Sequence, residues 1–489
     1  MLSKAMSPHK FRTRLVVSAL FGFSFLCFYY LSTREAALPF LEPPTARICP
    51  EPRLQSDVLL VVRTGATEIL EKLPIHFQTI LTCVSDYIVY SDLEEDINGH
   101  HVYNVLDYAN HSVEASTPEF ELYNRLQTTG REGLDYKTLF GSGPEGAEEN
   151  LGWKLDKWKF LPMIDRAVRH RPKAKWFVFV ESDTYIIWEN MLKYLSKFDA
   201  KQPHYLGKHM YIGDVLFAHG GSGFALSKPA ADKVVDNWIR NREAWDQYTK
   251  ESWAGDMVLG KALKDVGVDL FWAFPHLQGD SLNTIDWNVS KLDREPWCFV
   301  PATFHHTTKP ETEMLWEFEQ EWHRRNFRSG ATLRFRDIFK GLIYPQLRPH
   351  RGDWDNISTG TKYSDEALKA LSDEDRASLS LAEKEAHFSF EKCRVVCESI
   401  FTCIQFSYVR GECSISNELR LGRAADSQCL EYSDAAGRCI KSGGKEGKDD
   451  TNLQDIGFVQ SGWIMDRVSD YVQELDLSCD SPEGNSWVT

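Results

Sequence analysis

Short apolar runs separated by stretches of helical spacing dominate the first two thirds of this chain. DVLLVVRTG (57–65) has the pattern of a buried strand that ends in a glycine turn, and DYIVYSD (86–92) has the pattern of a second strand. The residues between them, 66–82, have helical spacing, as do residues 155–170 before the next apolar run. This alternation of strand and helix predicts an α/β fold with a mostly parallel sheet.

The run WFVFVESDTY (176–185) is the most informative of these strands. Its apolar part stops at Glu181, Ser182 and Asp183. Ligands of open α/β sheets bind at the carboxyl ends of the strands. Glu181 and Asp183 are therefore predicted to hold Mn²⁺ or Mg²⁺ together with the phosphates of a substrate such as a nucleotide-sugar. For an isolated acid-x-acid triplet, the alternative is a solvated charged surface.

The N-terminus predicts a membrane anchor. Residues 15–31 form an uncharged apolar run of 17 residues after four Lys and Arg residues, near the short limit for crossing a bilayer. A cleaved signal peptide is the alternative, but no small-x-small cleavage site follows. The prediction is a cytosolic tail (1–14), an anchor (15–31) and a proline-rich stem (32–56), giving a single-pass type II protein of the Golgi or ER membrane.

Composition agrees with a lumenal location. Of eleven cysteines, one lies in the apolar run and ten follow it, an even number that permits complete pairing. Glycosylation sequons occur at Asn110, Asn288 and Asn356. The formal net charge of −15 argues against binding to nucleic acid, which requires a basic surface.

The C-terminal part has a different character. Most of the cysteines fall there, which predicts a small disulfide-rich domain over residues 387–489, after a helical connector over 351–386. Zinc binding is the alternative, but the spacing lacks paired C-x-x-C clusters. The cysteines concerned are Cys393, Cys397, Cys403, Cys413, Cys429, Cys439 and Cys479.

Three further segments carry candidate chemistry. HGGSGFALS (219–227) lets the backbone approach a ligand closely, although a tight turn alone explains its glycines equally well. In ESWAGDMVLGKAL (251–263), Asp256 lies where a helix starts, and helix capping is its alternative role. WCFVPATFHHTT (297–308) ends in two histidines that could complete a metal site.

Together these segments resemble the lumenal β1,3-glycosyltransferases of the Fringe and core 1 galactosyltransferase group. The family's aspartate triplet with Thr-Tyr matches ESDTY, its glycine motif matches GGSGFALS, and its Asp-Met-x-x-Gly segment matches Asp256, Met257 and Gly260. With GDSLNTI (279–285), the resemblance covers residues 57–322. It implies a nucleotide-sugar-binding fold of the GT-A type over residues 57–350.

The resemblance also implies a reaction, an inverting transfer of galactose from a UDP-sugar to a glycan or glycoprotein acceptor in β1,3 linkage. Asp256 would be the catalytic base. Mn²⁺ or Mg²⁺ would be held by Asp183 with Glu181 and His305 or His306. The residues expected to contact donor or acceptor are Lys157, Ser182, Gly221, Ser222, Gly223, Trp253 and Gly255.

One residue departs from the family pattern. The family usually has three aspartates where this chain has Glu181, Ser182 and Asp183. Ser182 removes a charge, so weaker metal binding, an altered donor or loss of activity each follow as possibilities. The rival hypothesis is a lectin-like relative without catalysis; a third hypothesis keeps the enzyme but gives it a UDP-N-acetylhexosamine or UDP-glucose donor.

The C-terminal cysteines resemble those of a PAN/apple domain, an α+β module. The resemblance implies that Cys397 pairs with Cys403 inside a bridge between Cys393 and Cys413. Such modules bind protein or carbohydrate, and a purely structural cap is the alternative. Fungal relatives of the transferase family often carry this arrangement.

Overall fold

The computed structural model describes the chain from residue 47, with several gaps. The predicted tail, the predicted anchor, most of the stem and the sequon at Asn110 lie outside the described residues. Within the described residues, no helix is both long enough and apolar enough to cross a bilayer. The described ranges are 47–108, 117–134, 151–291, 294–326, 331–425, 429–433, 438–442, 459–479 and 486–489.

An eight-stranded sheet forms the centre of the N-terminal part. Strands of this part are β1 (Val58–Arg63), β2 (Tyr87–Ser91), β3 (Glu95–Ile97), β4 (His100–Asn104), β5 (Trp176–Glu181), β6 (Tyr185–Ile186), β7 (Tyr205–Gly207), β8 (His209–Ile212), β9 (Val215–Ala218), β10 (Phe224–Ser227), β11 (Leu270–Trp272) and β12 (Thr303–Phe304). The sheet order is β11-β7-β10-β5-β1-β2-β4-β3, and only β10 and β3 run antiparallel to their neighbours. The predicted α/β class with a mostly parallel sheet is confirmed.

Helices cover both faces of this sheet. They are α1 (Pro52–Gln55), α2 (Ile69–Lys72), α3 (Pro74–Gln78), α4 (Phe120–Thr129), α5 (Leu151–Asp156), α6 (Phe160–His170), α7 (Trp188–Leu195), α8 (Lys228–Arg240), α9 (Arg242–Glu251), α10 (Gly255–Asp265) and α11 (Lys309–Asn326). Alternate residues of β1 belong to different cores: Leu59 and Val61 pack with α6, α8 and α10, whereas Leu60 packs with α7. Burial on both faces explains why β1 and β5 are continuous apolar runs.

The C-terminal part contains a second, antiparallel sheet of five strands in the order β13-β21-β16-β17-β15. Helix α16 packs against it, joined by the bridges Cys393–Cys413 and Cys397–Cys403, both of which the apple-like resemblance implied. The elements are β13 (Arg351–Gly352), β14 (Trp354–Asp355), β15 (Thr361–Ser364), β16 (Gln405–Val409), β17 (Glu412–Ser416), β18 (Arg423–Ala424), β19 (Cys429–Ser433), β20 (Arg438–Ser442) and β21 (Gln460–Trp463), with α12 (Phe335–Ile338), α13 (Asp365–Ala370), α14 (Asp373–Ser378), α15 (Leu381–Glu385), α16 (Phe390–Ser399) and α17 (Met465–Cys479).

The predicted connector, residues 351–386, is more than a spacer. Its helices are present, but its first residues form β13 and β15, which are strands of the C-terminal sheet. A shared core also crosses the predicted boundary, with Trp287 and Trp297 packed in one cluster with Trp463. A disulfide that the sequence did not indicate, Cys298–Cys479, joins the same two regions. Residues 48–489 accordingly form one compact unit.

The end of the predicted stem packs against the folded body. Cys49 is bonded to Cys83, and the backbone N–H of Ile48 donates to Oε1 of Gln320 at 2.8 Å. The stem prediction over 32–56 therefore extends too far, because the proline density that suggested it continues into an ordered segment.

The sequon at Asn356 is not accessible. Asn356 is completely buried, and its side-chain amide donates to the carbonyl oxygens of Phe406 and Gly462 at 3.1 and 3.3 Å. A glycosylated asparagine must present this amide at the surface. The prediction of a glycosylation site there is wrong, whereas Asn288 lies only half-buried.

Candidate active site

A cleft of about 220 Å³ opens at the carboxyl edge of the main sheet. Arg63 and Glu181 are the last residues of the adjacent parallel strands β1 and β5 and are paired in register, so both side chains reach this edge. The start of α10 and the segment after β12 form other parts of the wall. The lining residues include Arg63, Trp153, Asp156, Lys157, Lys159, Phe160, Glu181, Met210, His219, Gly221, Trp253, Gly255, Asp256, His305 and His306.

One corner of the cleft has the composition of a metal site. Asp183, His305 and His306 each offer a ligand atom, and these atoms lie within 4.8 Å of one another. Nε2 of His305 lies 3.4 Å from Oδ1 of Asp183, and Nδ1 of His306 lies 3.5 Å from Oδ2. His306 has a positive φ of 56°, which is uncommon outside glycine and is concentrated at functional sites.

Buried polar atoms in this corner lack hydrogen-bond partners. Neither Oδ1 of Asp183 nor either ring nitrogen of His305 forms a hydrogen bond with the described residues. Buried polar atoms are normally satisfied, so these exceptions call for an explanation. One carboxylate and two imidazoles suit a divalent ion such as Mn²⁺, and the residues present therefore fit the implied metal.

Charged neighbours keep Asp183 ionised. Burial alone would raise its pKa, but Lys72 at 2.8 Å and His305 outweigh burial and hold the pKa well below its usual range. Burial likewise opposes a charged His305, but the carboxylates of Asp183 and Glu181 raise its pKa to about 9. A metal bound here would take the place of this proton.

Glu181, predicted to be a metal ligand, has a different partner. Its Oε1 is paired with Nη2 of Arg63. The guanidinium of Arg63 also pairs with Asp156 and lies over the ring of Phe160. Burial opposes its ionisation, but Arg63 and His305 lower the pKa of Glu181 below the usual range. Nε2 of His305 is 3.7 Å away. Glu181 lies beside the corner but is not among the three residues with converging ligand atoms.

Ser182, the residue that departs from the family pattern, points into the protein. It is 1% exposed, and its hydroxyl lies 3.0 Å from the hydroxyl of Thr64. Its carbonyl accepts a hydrogen bond from Nε2 of His76 at 2.7 Å. Successive residues at a strand end alternate in direction, which places Ser182 away from the cleft that Glu181 lines.

Asp256 forms another wall of the cleft, in the first turn of α10. Its Oδ2 accepts from the backbone N–H of Gly220 and its Oδ1 accepts from that of Met257, each at 2.9 Å. Burial raises the pKa of Asp256 to about 6, although these N–H groups and Arg63 oppose the rise. A carboxylate with a pKa near neutrality in a cleft is suited to accepting a proton.

The predicted glycines allow close packing around these groups. A β-carbon at Gly221 would lie 2.1 Å from the ring of His305, and one at Gly255 would lie 2.3 Å from the ring of Phe160. Gly223 has a positive φ of 77°, as its turn requires. Ser222 is fully buried and its carbonyl accepts from the hydroxyl of Thr303, so it supports the wall from behind.

Lys157 and Trp253 lie together near the mouth of the cleft. The ammonium of Lys157 donates to the carbonyl oxygens of Lys250 and Ser252 and pairs with Glu119 at 2.8 Å. Lys157 thereby holds the loop before α10 in place, a role that the sequence did not indicate. Trp253 is 55% exposed, and its ring is stacked with that of Trp153 at 6.2 Å.

Sequence reasoning missed three groups of this site. Nδ1 of His219 accepts from the backbone N–H of Ser222, so the neutral ring carries its proton on Nε2, and burial lowers the pKa of His219 to about 3. Lys159 is 1% exposed and pairs with Asp92 at 3.0 Å. Lys72 pairs with Asp183. His219 opens a motif that had been singled out, whereas the lysines carry no local signal.

Comparison with known proteins agrees with this geometry. Residues 54–286 match the Fringe-like family model. The glycoprotein-N-acetylgalactosamine 3-beta-galactosyltransferase 1 of Xenopus laevis is 29% identical over 163 residues, which are 32% of this chain and 39% of that protein. The chain therefore spans about two fifths of the length of that relative.

A solved structure, that of a glycosyltransferase involved in the glycosylation of the major capsid of PBCV-1, gives a TM-score of only 0.26. Its sequence identity is 13%, over 53% of this chain and 98% of the other. The family match includes Glu181, His219 and Asp256 of the cleft and ends before His305 and His306. Residues 54–286 are therefore similar to the Fringe-like family, and the two sequence matches support a glycosyltransferase.

Proposed function

We propose that this protein is an inverting glycosyltransferase with a GT-A-type fold that transfers a sugar from a UDP-sugar to a hydroxyl group of a glycan or glycoprotein. The observation that carries the proposal is that Asp256, His305 and His306 line one cleft, and that Asp183 offers a ligand atom within 4.8 Å of those of the two histidines. A proton acceptor on one side and a site for a divalent ion on the other are what transfer from a nucleotide-sugar needs. The name of the Xenopus relative supports galactose and a β1,3 linkage.

In this proposal Asp256 is the base. Its carboxylate accepts the proton of the acceptor hydroxyl as that oxygen attacks the anomeric carbon of the donor. The N–H groups of Gly220 and Met257 hold the carboxylate in place. Because burial raises the pKa of Asp256 to about 6, the group can take up a proton near neutral pH and release it afterwards.

The opposite corner handles the leaving group. Asp183, His305 and His306 would hold Mn²⁺ or Mg²⁺, which when bound neutralises charge on the departing diphosphate. The Nε2–H of His219, whose ring lines the cleft, is available to donate a hydrogen bond to a substrate oxygen. Arg63 and Glu181 neutralise each other beside the corner and orient the end of β5.

Trp253 and Trp153 form the mouth of the cleft on the side of Asp256. We propose that Trp253 stacks on a sugar ring of the acceptor, because it is exposed and adjoins the loop that leads to the base. The four disulfides among the described residues fit an oxidising compartment, and with the predicted anchor they support a lumenal, type II location in the Golgi or ER. The apple-like part is proposed to bind protein or carbohydrate.

The lectin-like alternative depended on Ser182. Since the hydroxyl of Ser182 bonds to Thr64 in the interior, its lack of charge does not alter the three converging ligand atoms. A site built only to bind would also not need a carboxylate whose pKa is raised to about 6. These two observations favour catalysis over binding alone.

The test is to incubate the full chain with a panel of UDP-sugars and Mn²⁺, with UDP release as the readout. We expect one donor, UDP-galactose before UDP-N-acetylhexosamine or UDP-glucose, to give release that a chelator abolishes and Mn²⁺ restores. The Asp256→Asn variant is the matched control for contaminating hydrolases. Release that is absent with every donor, or equal in this variant, would overturn the proposal.

A further inference from the structure

Lys208, the residue between β7 and β8, lies next to the wall that holds the proposed base. Its carbonyl accepts from the backbone N–H of His219 at 2.8 Å, and the next residue, Gly220, donates to Asp256. The ammonium lies over Gly279: a β-carbon there would be 2.3 Å from Nζ and 3.2 Å from Oγ of Ser222. The backbone of Lys208 is therefore joined to the segment that holds Asp256, and its ammonium lies beside Gly279 and Ser222.

The ammonium of Lys208 differs from those of the other buried lysines around the cleft. Lys72, Lys157 and Lys159 each have a carboxylate oxygen within 3.0 Å and donate hydrogen bonds. The side chain of Lys208 is only 22% exposed, but its ammonium donates no hydrogen bond to any described residue. Its sole carboxylate neighbour within 4.0 Å in the described ranges is Asp280, at 3.9 Å.

Further positive charge surrounds this position. Nη1 of Arg294 donates to the carbonyl oxygens of Trp272 and Phe274 at 3.3 and 2.7 Å, and Arg294 forms no ion pair with the described residues. The ring of Trp272 stacks with that of His209 at 4.5 Å, which brings Arg294 close to His209. Burial lowers the pKa of His209, and the charges of Lys208, Lys291 and Arg294 lower it further.

A buried cation is costly when its carboxylate neighbour is as distant as Asp280, at 3.9 Å, and clustering of like charges adds to the cost. The chain as a whole carries a net charge of −15, whereas the charges that act on His209 are the three cations Lys208, Lys291 and Arg294. Burial also lowers the pKa of Lys208, and Asp280 opposes this change without reversing it. An anion bound beside Lys208 would satisfy it.

We propose that Lys208, with Arg294 and Lys291 nearby, binds an anionic group (a carboxylate, sulfate or phosphate) of the acceptor glycan. The inference rests on the proposed function in taking the acceptor to be a glycan. Lys208 adjoins the His219–Gly220 segment, and this segment holds Asp256, the proposed base. Because the acceptor hydroxyl must lie against the base, the acceptor is favoured over the donor as the source of the anionic group. The donor diphosphate is the other source of the same chemistry, and the test separates the two.

The test uses two probes that differ only in one carboxylate, methyl β-glucuronide and methyl β-glucoside. Their dissociation constants for the full chain are measured by calorimetry in the presence of UDP and Mn²⁺, where no transfer takes place. We expect the glucuronide to bind about ten-fold more tightly, the value of one charge-assisted hydrogen bond. This preference should disappear in Lys208→Gln and persist in Lys208→Arg and in the control Lys261→Gln, which alters an exposed lysine of α10.

The affinity for UDP with Mn²⁺, measured for the same variants, gives the second arm. Unchanged UDP affinity with a lost preference for the glucuronide supports the acceptor subsite. Weaker UDP binding in Lys208→Gln with an unchanged preference would overturn it in favour of the diphosphate, and no effect on either would make Lys208 structural. Because binding is measured without transfer, failure of the proposed reaction leaves these results interpretable.

Discussion

The two walls of the cleft use the same residue type in opposite ways. Asp183 lies among Lys72, His305 and His306, and its pKa is held well below the usual range. Asp256 is also buried, but backbone N–H groups and the more distant Arg63 are its main compensation, and its pKa rises to about 6. The neighbouring charges therefore make one aspartate a permanent anion suited to a metal and the other a group that can exchange a proton.

Replacing the proton acceptor should have the largest effect. Asp256→Asn keeps an oxygen for the N–H of Gly220 but cannot accept the acceptor's proton, and we expect kcat to fall about 10²- to 10⁴-fold. The affinity for UDP with Mn²⁺, measured by calorimetry, should stay within about two-fold of wild type, because the base acts only in the chemical step and not in binding of UDP. Unchanged transfer would show that Asp256 is not the base. The two aspartates would then not differ in the roles proposed for them.

Removing an imidazole from the other wall should weaken metal binding. In His305→Ala we expect the affinity for Mn²⁺ to fall at least about ten- to hundred-fold. Loss of a group that only supports a metal ligand already lowers metal affinity this much, and His305 is proposed to be a ligand itself. A Mn²⁺ titration followed by electron paramagnetic resonance measures this directly. His209→Ala, at a histidine stacked on Trp272, is the control. Equal Mn²⁺ affinities in wild type and His305→Ala would contradict the assignment.

The pH dependence should separate the two aspartates. The base must be deprotonated, and its pKa is raised to about 6, so kcat/KM should rise with pH through about 6 and fall about ten-fold per pH unit below it. Asp183 stays ionised over this range because its pKa is held well below the usual range. The measurement is a pH profile at saturating Mn²⁺, and the limb should vanish from the residual activity of Asp256→Asn. An acid limb with its midpoint below pH 4.5 would assign the transition to another group.

The smallest effect should come from Ser182. Ser182→Ala removes its hydrogen bond with Thr64 and should lower the free energy of unfolding by about 1 kcal/mol, without changing Mn²⁺ affinity or kcat. Chemical denaturation and steady-state kinetics measure the two quantities. A fall in Mn²⁺ affinity would show that Ser182 affects metal binding. The metal site would then involve more than Asp183, His305 and His306.

Residue type at a strand end could be predicted, but the partner of each side chain could not. The metal site of Asp183 with two histidines stays a prediction, and ligand atoms of these residues lie within 4.8 Å of one another. Glu181 was expected beside them because it is two residues away, but the register of β1 and β5 places Arg63 opposite it. Lys157 was expected to contact the donor or acceptor; that contact stays a prediction, and the hydrogen bonds of its ammonium to the carbonyl oxygens of Lys250 and Ser252 were not indicated by the sequence.

By itself, the sequence determined the α/β class, the strand that delivers carboxylates to the sheet edge, and the nested pairs Cys393–Cys413 and Cys397–Cys403, the last through a resemblance. The first two features are local, since they follow from apolar runs in the sequence. The two bridges were implied by the resemblance alone. Only the tertiary structure decided which carboxylate is neutralised and which can exchange a proton. Lys72 is 111 residues from Asp183, and Arg63 is 118 residues from Glu181. Electrostatic role depends on distance and burial in space, which no local pattern encodes.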